Sequence, residues 1–358
     1  MLRLKPEELD LLASITRRAY QSVLTHTPIH LRTGRDVGPL QTLRVASLAF
    51  RLPNPLTFAK EMPPVGSGVL NPERYKLVVF DDDSEVLTLE DILQTVDRFL
   101  EETRKQGCPP HFVLLNELSH AFERPTAVGA RWLNLAEKYE TYIVPGTYHA
   151  TDELFGVAPI YAPHRKTQNV LKQNSARRQG EVIRTPDSRE LFIYETDYGN
   201  VVVWICLDIY DPGLVLKFLS RTNRFSGSKE ERRQKNREIS LVLIPAYSHD
   251  EAENIRSCVK TLSRFSKTVM ICTNAFVDPA GERLESYGFC GGDPLKEVLF
   301  KEYTSAAGKN VCKAFLYEVD LEVLRSKQAA SYQSDGVFSS PFTTIINGGP
   351  GSLRDVSK

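Results

Sequence analysis

No run of apolar residues in this chain approaches the ~20 needed to cross a bilayer as a helix. The longest strongly apolar stretch near the middle is Val201 to Leu207, so a soluble chain without a membrane partner is expected. Neither sign of charge is in excess: 45 Lys and Arg stand against 45 Asp and Glu. No overall field therefore draws the chain to nucleic acid or an anionic surface, and such a partner would need a local patch. The six cysteines, Cys108, Cys206, Cys258, Cys272, Cys290 and Cys312, are scattered without a C-x-x-C pair. That spacing excludes common zinc motifs and gives no disulfide framework. There is no G-x-G-x-x-G or Walker-type run, which argues against nucleotide-driven chemistry. The opening MLRLKPEELDLL carries charges throughout and no apolar signal core, so a cytoplasmic location is expected.

What the chain does have is material for a large core, with 358 residues, 41% of them hydrophobic and 25% charged. Leu9, Leu12, Ile15, Ala19 and Val23 fall three or four apart and predict an amphipathic helix in an N-terminal extension over residues 1–41. Residues 52–74 are rich in Pro and Gly and read as a loop. Beyond it, apolar runs at Lys76–Phe80, His111–Leu115, Thr141–Gly146, Asn200–Cys206, Leu241–Ala246, Thr268–Thr273 and Lys313–Asp320 predict strands. Helical spacings from Leu89 to Leu100 and from Val128 to Tyr139 lie between the earlier runs. Strand and helix alternate, so the class is α/β. The main domain is expected over residues 42–326, and the Ser, Gly and Pro content of 327–358 predicts an extended C-terminal arm.

Three polar residues lie close to the ends of apolar runs, where an α/β protein has rigid backbone for reacting groups. Glu117 stands in LLNELSH, Lys166 in APHRKTQ and Cys206 at the end of NVVVWIC. A thiol at a strand-to-helix junction faces backbone N–H groups that favour the thiolate and can hold an oxyanion. A carboxylate could take its proton and a lysine could stabilise the charge. On pattern alone, Cys206 also reads as a small buried hydrophobe.

The strings LLNELSH, APHRKTQ and VVVWICLDIYDP, in this order, resemble the three signature regions of the nitrilase superfamily of carbon–nitrogen hydrolases. Their reacting positions are 49 and 40 residues apart, similar to the family. LRVASLAF, LEDILQTVDRFLEETRKQG, LVLIPAYS, TVMICTNAF and AFLYEVDLEVLR resemble its flanking strands and first helix, so the resemblance covers roughly residues 42–326. It implies an α-β-β-α sandwich, usually oligomeric, with no metal or organic cofactor. It implies Glu117 as general base, Lys166 as the cation supporting the tetrahedral intermediate, Cys206 as nucleophile and the Leu207 backbone N–H in the oxyanion site. The reaction implied is hydrolysis of a non-peptide C–N bond, in an amide, carbamoyl compound or nitrile, through a thioester. Tyr148, His149 and Glu181 are candidates for the substrate pocket.

The chain departs from the family pattern in several places. Asn116 stands where proline usually precedes the glutamate, and Leu207 where an aromatic usually follows the cysteine. The family's second glutamate falls near Gln173 to Ser175, where no acid occurs; Glu181 is the nearest acid after Lys166. Two functions therefore remain open, a hydrolase and a nitrilase-fold binding or effector module with weak or lost activity acting with partner domains. A redox-sensing role for Cys206 lacks a resolving cysteine nearby in sequence. Glu117 and His120 have E-x-x-H spacing, but a second such pair is absent, so no metal site is expected. The basic stretch 221–237 reads as a solvated face, with a partner or nucleic-acid patch as the alternative.

Overall fold

Two neighbouring strands show how the layers arise. In β2 (Thr42–Phe50) and β3 (Phe112–Leu115) both faces are apolar, the pattern of strands covered on both sides. Val45, Phe112 and Leu114 join one buried cluster, while Ala46, Leu48, Val113 and Leu115 join another. A period-two alternation thus feeds two cores at once.

The computed structural model describes residues 29–32, 42–51, 87, 89–120, 125–149, 156–174, 185–186, 190–222, 239–248, 252–266, 268–275, 285–304 and 310–320. The outer core on one side holds helices α1 (Leu89–Lys105) and α2 (Pro125–Tyr139). α1 turns Ile92, Leu93, Val96, Phe99 and Leu100 inward at helical spacing. These helices cover a five-stranded sheet in the order β14 (Lys296–Thr304), β15 (Asn310–Asp320), β2, β3 and β4 (Tyr142–Val144).

The second sheet has seven strands. They run β1 (Ile29–Arg32), β8 (Leu191–Thr196), β9 (Gly199–Val203), β10 (Ile239–Ala246), β11 (Val269–Asn274), β12 (Ser286–Cys290) and β13 (Asp293–Pro294). Helices α3 (Pro212–Thr222) and α4 (Ala252–Ser266) complete the stack, contributing Leu214, Phe218, Ile255, Val259 and Leu262 to the larger core. Hydroxyls fasten sheet to sheet: Ser47 Oγ lies 2.5 Å from Thr273 Oγ1, Ser286 Oγ 2.6 Å from Ser47 Oγ, and Tyr317 donates to Ser286 at 2.9 Å. The architecture is the expected α/β, α-β-β-α sandwich.

The interior strands β9, β10 and β11 are parallel, as are β2, β3 and β4. Their carboxyl ends are where such sheets hold ligands. A small sheet of β5 (Tyr148–His149), β6 (Gly156–Ile160) and β7 (Gln168–Leu171) flanks β4 through an isolated bridge from Ile143 to Tyr161. It had no clear apolar signature in the sequence.

Residues 29–32, within the segment before residue 42, form a strand paired in parallel with β8. The helix expected over 9–23, the strand at 76–80 and the arm 327–358 lie outside the described residues, as does the basic stretch beyond Thr222. Among the described residues no helix is long and apolar enough to cross a membrane.

Candidate active site

Glu117 follows β3 and is held from several directions. Its backbone N–H donates to Ala246 O at the end of β10, 3.2 Å away. Asn116 is held by hydrogen bonds: its Oδ1 accepts from Phe50 N at 2.6 Å and its Nδ2 donates to Glu117 O at 3.0 Å. Gly146, at φ +83°, lets the neighbouring chain pass so close that a Cβ there would lie 2.0 Å from Asn116 O. Leu118 takes a left-handed φ of 64°, and its N–H donates to Thr147 Oγ1 at 3.0 Å.

The lysine that meets Glu117 is Lys172. Its Nζ lies 2.6 Å from Glu117 Oε1, with the two side chains only 2% and 5% exposed. Lys172 follows β7, and its N–H donates to Gly156 O at 2.8 Å. Lys166, the lysine expected from the sequence, is not the one paired with Glu117. Lys166 is exposed in the turn before β7, where its carbonyl accepts from Gln168 Nε2. The strand itself carries the chain from that solvent-facing turn to the buried position six residues on. Glu117 and Lys172 are separated by 55 residues.

Cys206 opens a 3-10 turn, Cys206–Tyr210, directly after the strand that ends at Val203. It is 1% exposed and has φ 49°. A non-glycine residue in this region costs on the order of 1–3 kcal/mol, and such positions cluster where a side chain must be aimed. Ile205, just before, is extended. The chain therefore turns sharply at the thiol, and Leu207 follows it half-buried against the larger core.

Asp208 brings the lysine segment and the cysteine turn together. Its Oδ1 accepts from Gln173 N at 2.9 Å and Asn174 N at 2.8 Å, while Oδ2 accepts from Ile205 N at 3.2 Å. One buried carboxylate thus spans the residues after Lys172 and the residue before Cys206. Burial pushes its pKa up to about 7, against the opposing pull of the Lys172 charge and those three N–H groups.

Aromatic residues surround this centre. Burial, with the Glu117 charge adding, raises the Tyr247 phenol above its ordinary range. Burial, then neighbouring Cys272, with Cys206 and Tyr210 adding, holds the Tyr287 phenol well above its own. Tyr148 stands 4.9 Å from the His120 ring, and His120 Nε2 is 3.1 Å from Tyr161 Oη. His120 is therefore packed in a buried aromatic cluster. His149 is the second residue of β5, and Glu181 lies outside the described residues. Among the described residues no group of three or more His, Cys, Asp or Glu is arranged to hold a metal ion.

Burial raises three of the other thiols. Burial pushes Cys272 up to about 12 and Cys258 to about 11, and holds Cys312 well above its ordinary value. The rule that reacting groups follow strands could have singled out Lys172 directly after QNVL. Asp208, three residues beyond the extended Ile205, had the spacing of an acid that caps a turn.

This stack of layers is a fold shared with solved structures of nitrilase-superfamily members. The chain is similar in structure to Saccharomyces cerevisiae Nit3, a member of branch 10 of the nitrilase superfamily, at 15% identity and a TM-score of 0.54, covering 85% of this chain and 98% of that one. It is also similar to an amidase from Nesterenkonia sp., at 13% identity and a TM-score of 0.50, covering 83% and 98%. A double mutant of the Nesterenkonia sp. AN1 amidase in complex with acrylamide gives the same values. No family model matches the chain, and no curated protein matches it by sequence.

Proposed function

We propose that this chain is a cysteine-dependent carbon–nitrogen hydrolase of the amidase type, with Cys206 as nucleophile, Glu117 as general base and Lys172 as the supporting cation. The observation that carries the reading is the buried Glu117–Lys172 pair tied through one carboxylate to the strained turn that presents Cys206. Cys206 Sγ attacks the carbonyl carbon of an amide or carbamoyl substrate as Glu117 accepts the thiol proton. The developing oxyanion is met by the Lys172 ammonium and the Leu207 backbone N–H. Collapse breaks the C–N bond, Glu117 returns the proton to the departing amine or ammonia, and a thioester to Cys206 remains. Water, deprotonated by Glu117, attacks that thioester; the acid leaves and the thiol is restored.

Amides and carbamoyl compounds are placed ahead of nitriles, in keeping with the amidase among the similar structures. Counted from Lys172, Glu181 follows by nine residues, against fifteen from Lys166, and we assign it the second-glutamate role. Tyr148 and His149 remain candidates for the pocket wall. We place the protein in the cytoplasm as a homo-oligomer without a cofactor, in line with the sequence reading.

The test is ammonia release from a panel of small amides, carbamoyl compounds and nitriles, with intact mass used to trap an acyl adduct. Release together with an adduct lost in Cys206→Ala is expected. Silence across the panel with no adduct would instead favour a binding module on this fold.

A further inference from the structure

Asp208, 1% exposed, is a buried acid beside the proposed centre that the reaction above does not use. Its side-chain oxygens accept from N–H donors. Ile205 N reaches Oδ2 at 3.2 Å; Gln173 N, Asn174 N and Asn174 Nδ2 reach Oδ1 at 2.9, 2.8 and 3.4 Å. A carboxylate has roughly four lone-pair sites, so this set matches its acceptor capacity. Its own backbone is locked in the turn, with its N–H on Ile205 O at 3.0 Å and its carbonyl accepting from Asp211 N at 3.1 Å.

The consequence concerns Lys172. Its N–H is fixed on Gly156 O, and the next two backbone N–H groups are fixed on Asp208. The same carboxylate fixes the residue preceding Cys206. The lysine and the thiol, far apart in sequence, are therefore referenced to one buried group. A displacement of about 1 Å between reacting groups can cost on the order of 100-fold in rate.

We infer that Asp208 is a positioning residue, which sets Lys172 relative to Cys206 by clamping the ends of β7 and β9 together. The inference rests on the hydrolase reading. Asp208→Asn keeps the size of the side chain but cannot satisfy both segments. With Oδ1 toward Gln173 and Asn174, its Nδ2 meets the Ile205 N–H donor to donor; flipped, it faces the other two. One of the two ties is lost in either orientation.

The experiment follows alkylation of each thiol by iodoacetamide, site by site by peptide mass, across a pH series. Wild type, D208N, Lys172→Met and the double variant are compared. Wild type is expected to label at Cys206 first. D208N should slow that site about tenfold or more, with the midpoint of its pH–rate profile moved upward, while Cys272 and Cys312 stay slow as a check on the fold. In the Lys172→Met background the same change should have little further effect, because Asp208 acts through the lysine. If D208N does not fold, Asp208→Ser carries the same comparison, since it removes the buried charge and is too short to reach both segments.

An unchanged Cys206 rate in D208N would overturn the inference. So would acceleration with a lowered midpoint, the signature of removing a nearby negative charge, or equal slowing with and without Lys172. Absence of preferential Cys206 labelling in wild type would overturn the hydrolase reading itself, a result distinct from any of these.

Discussion

Two buried Glu–Lys pairs lie among the described residues, and only one is tied to the turn of the proposed nucleophile. Glu117 and Lys172 meet at strand ends beside left-handed residues at 118 and 206 and the bridging Asp208. Glu285 and Lys313 are also buried, each 7% exposed, but Lys313 lies within the regular strand β15 and Glu285 just before β12. Among the described residues Glu285 Oε2 has no hydrogen-bond partner. Burying an ion pair costs desolvation at both sites, so burial alone does not mark function. What sets the first pair apart is the left-handed turn at Cys206, the proposed nucleophile, tied to it through Asp208.

Substitutions separate the two pairs. The largest effect belongs to Cys206→Ala, which should reduce ammonia release to background and eliminate the acyl adduct by intact mass. Lys172→Met should lower turnover by about 100-fold to 1,000-fold, whereas Lys166→Met should leave it at the wild-type value; steady-state kinetics on the best substrate of the panel checks both. Equal losses from the two lysines would remove the basis for placing the cation at 172.

The second pair should respond in stability instead. Lys313→Met leaves a carboxylate buried without its cation and should destabilise by about 3–5 kcal/mol, read from urea unfolding, while Cys206 keeps its alkylation rate. Adding Glu285→Leu should restore much of that stability, since an apolar pair avoids the desolvation cost. A fall in Cys206 reactivity without a fall in stability would join the two pairs functionally.

The smallest expected effect is in pH dependence. Burial raises the Asp208 carboxyl from an ordinary value of 3.8 to about 7. The folded state binds more protons between those values, so this group's contribution to stability falls as pH rises through that window. His111 does the opposite. Burial, with Arg44's charge adding, lowers it from 6.5 to about 4, while its Nδ1 accepts from Arg44 N at 2.9 Å. The unfolded state then binds more protons, and stability rises with pH through that window. Urea midpoints across the acid range should climb more steeply with pH in D208N than in wild type, and less steeply in His111→Gln.

Much of the sandwich was legible because β3, β10, β11 and β15 are short apolar runs and α1 has a clean helical stripe. The small sheet was not, since Gln168–Leu171 alternates weakly and its neighbour β5 has only two residues. Glu117 and Cys206 were visible as polar groups following apolar strands. Lys172 was hidden by Lys166 six residues earlier, because sequence spacing does not report which lysine a turn leaves in water. Asp208 was in view beside the cysteine, but its partners at 173 and 174 are set by tertiary structure. The left-handed backbone at Cys206 likewise has no signature in residue type.

The central claim is that Glu117, Lys172 and Cys206 face one reacting carbon. A crystal structure of the iodoacetamide-treated protein tests it most directly, because the adduct carries an amide carbonyl on the sulfur. The account predicts that carbonyl oxygen within hydrogen-bond distance of Lys172 Nζ, with Glu117 still paired and Lys166 in solvent. An adduct on Cys206 turned away from both charged groups, or none there while another thiol is modified, would contradict it.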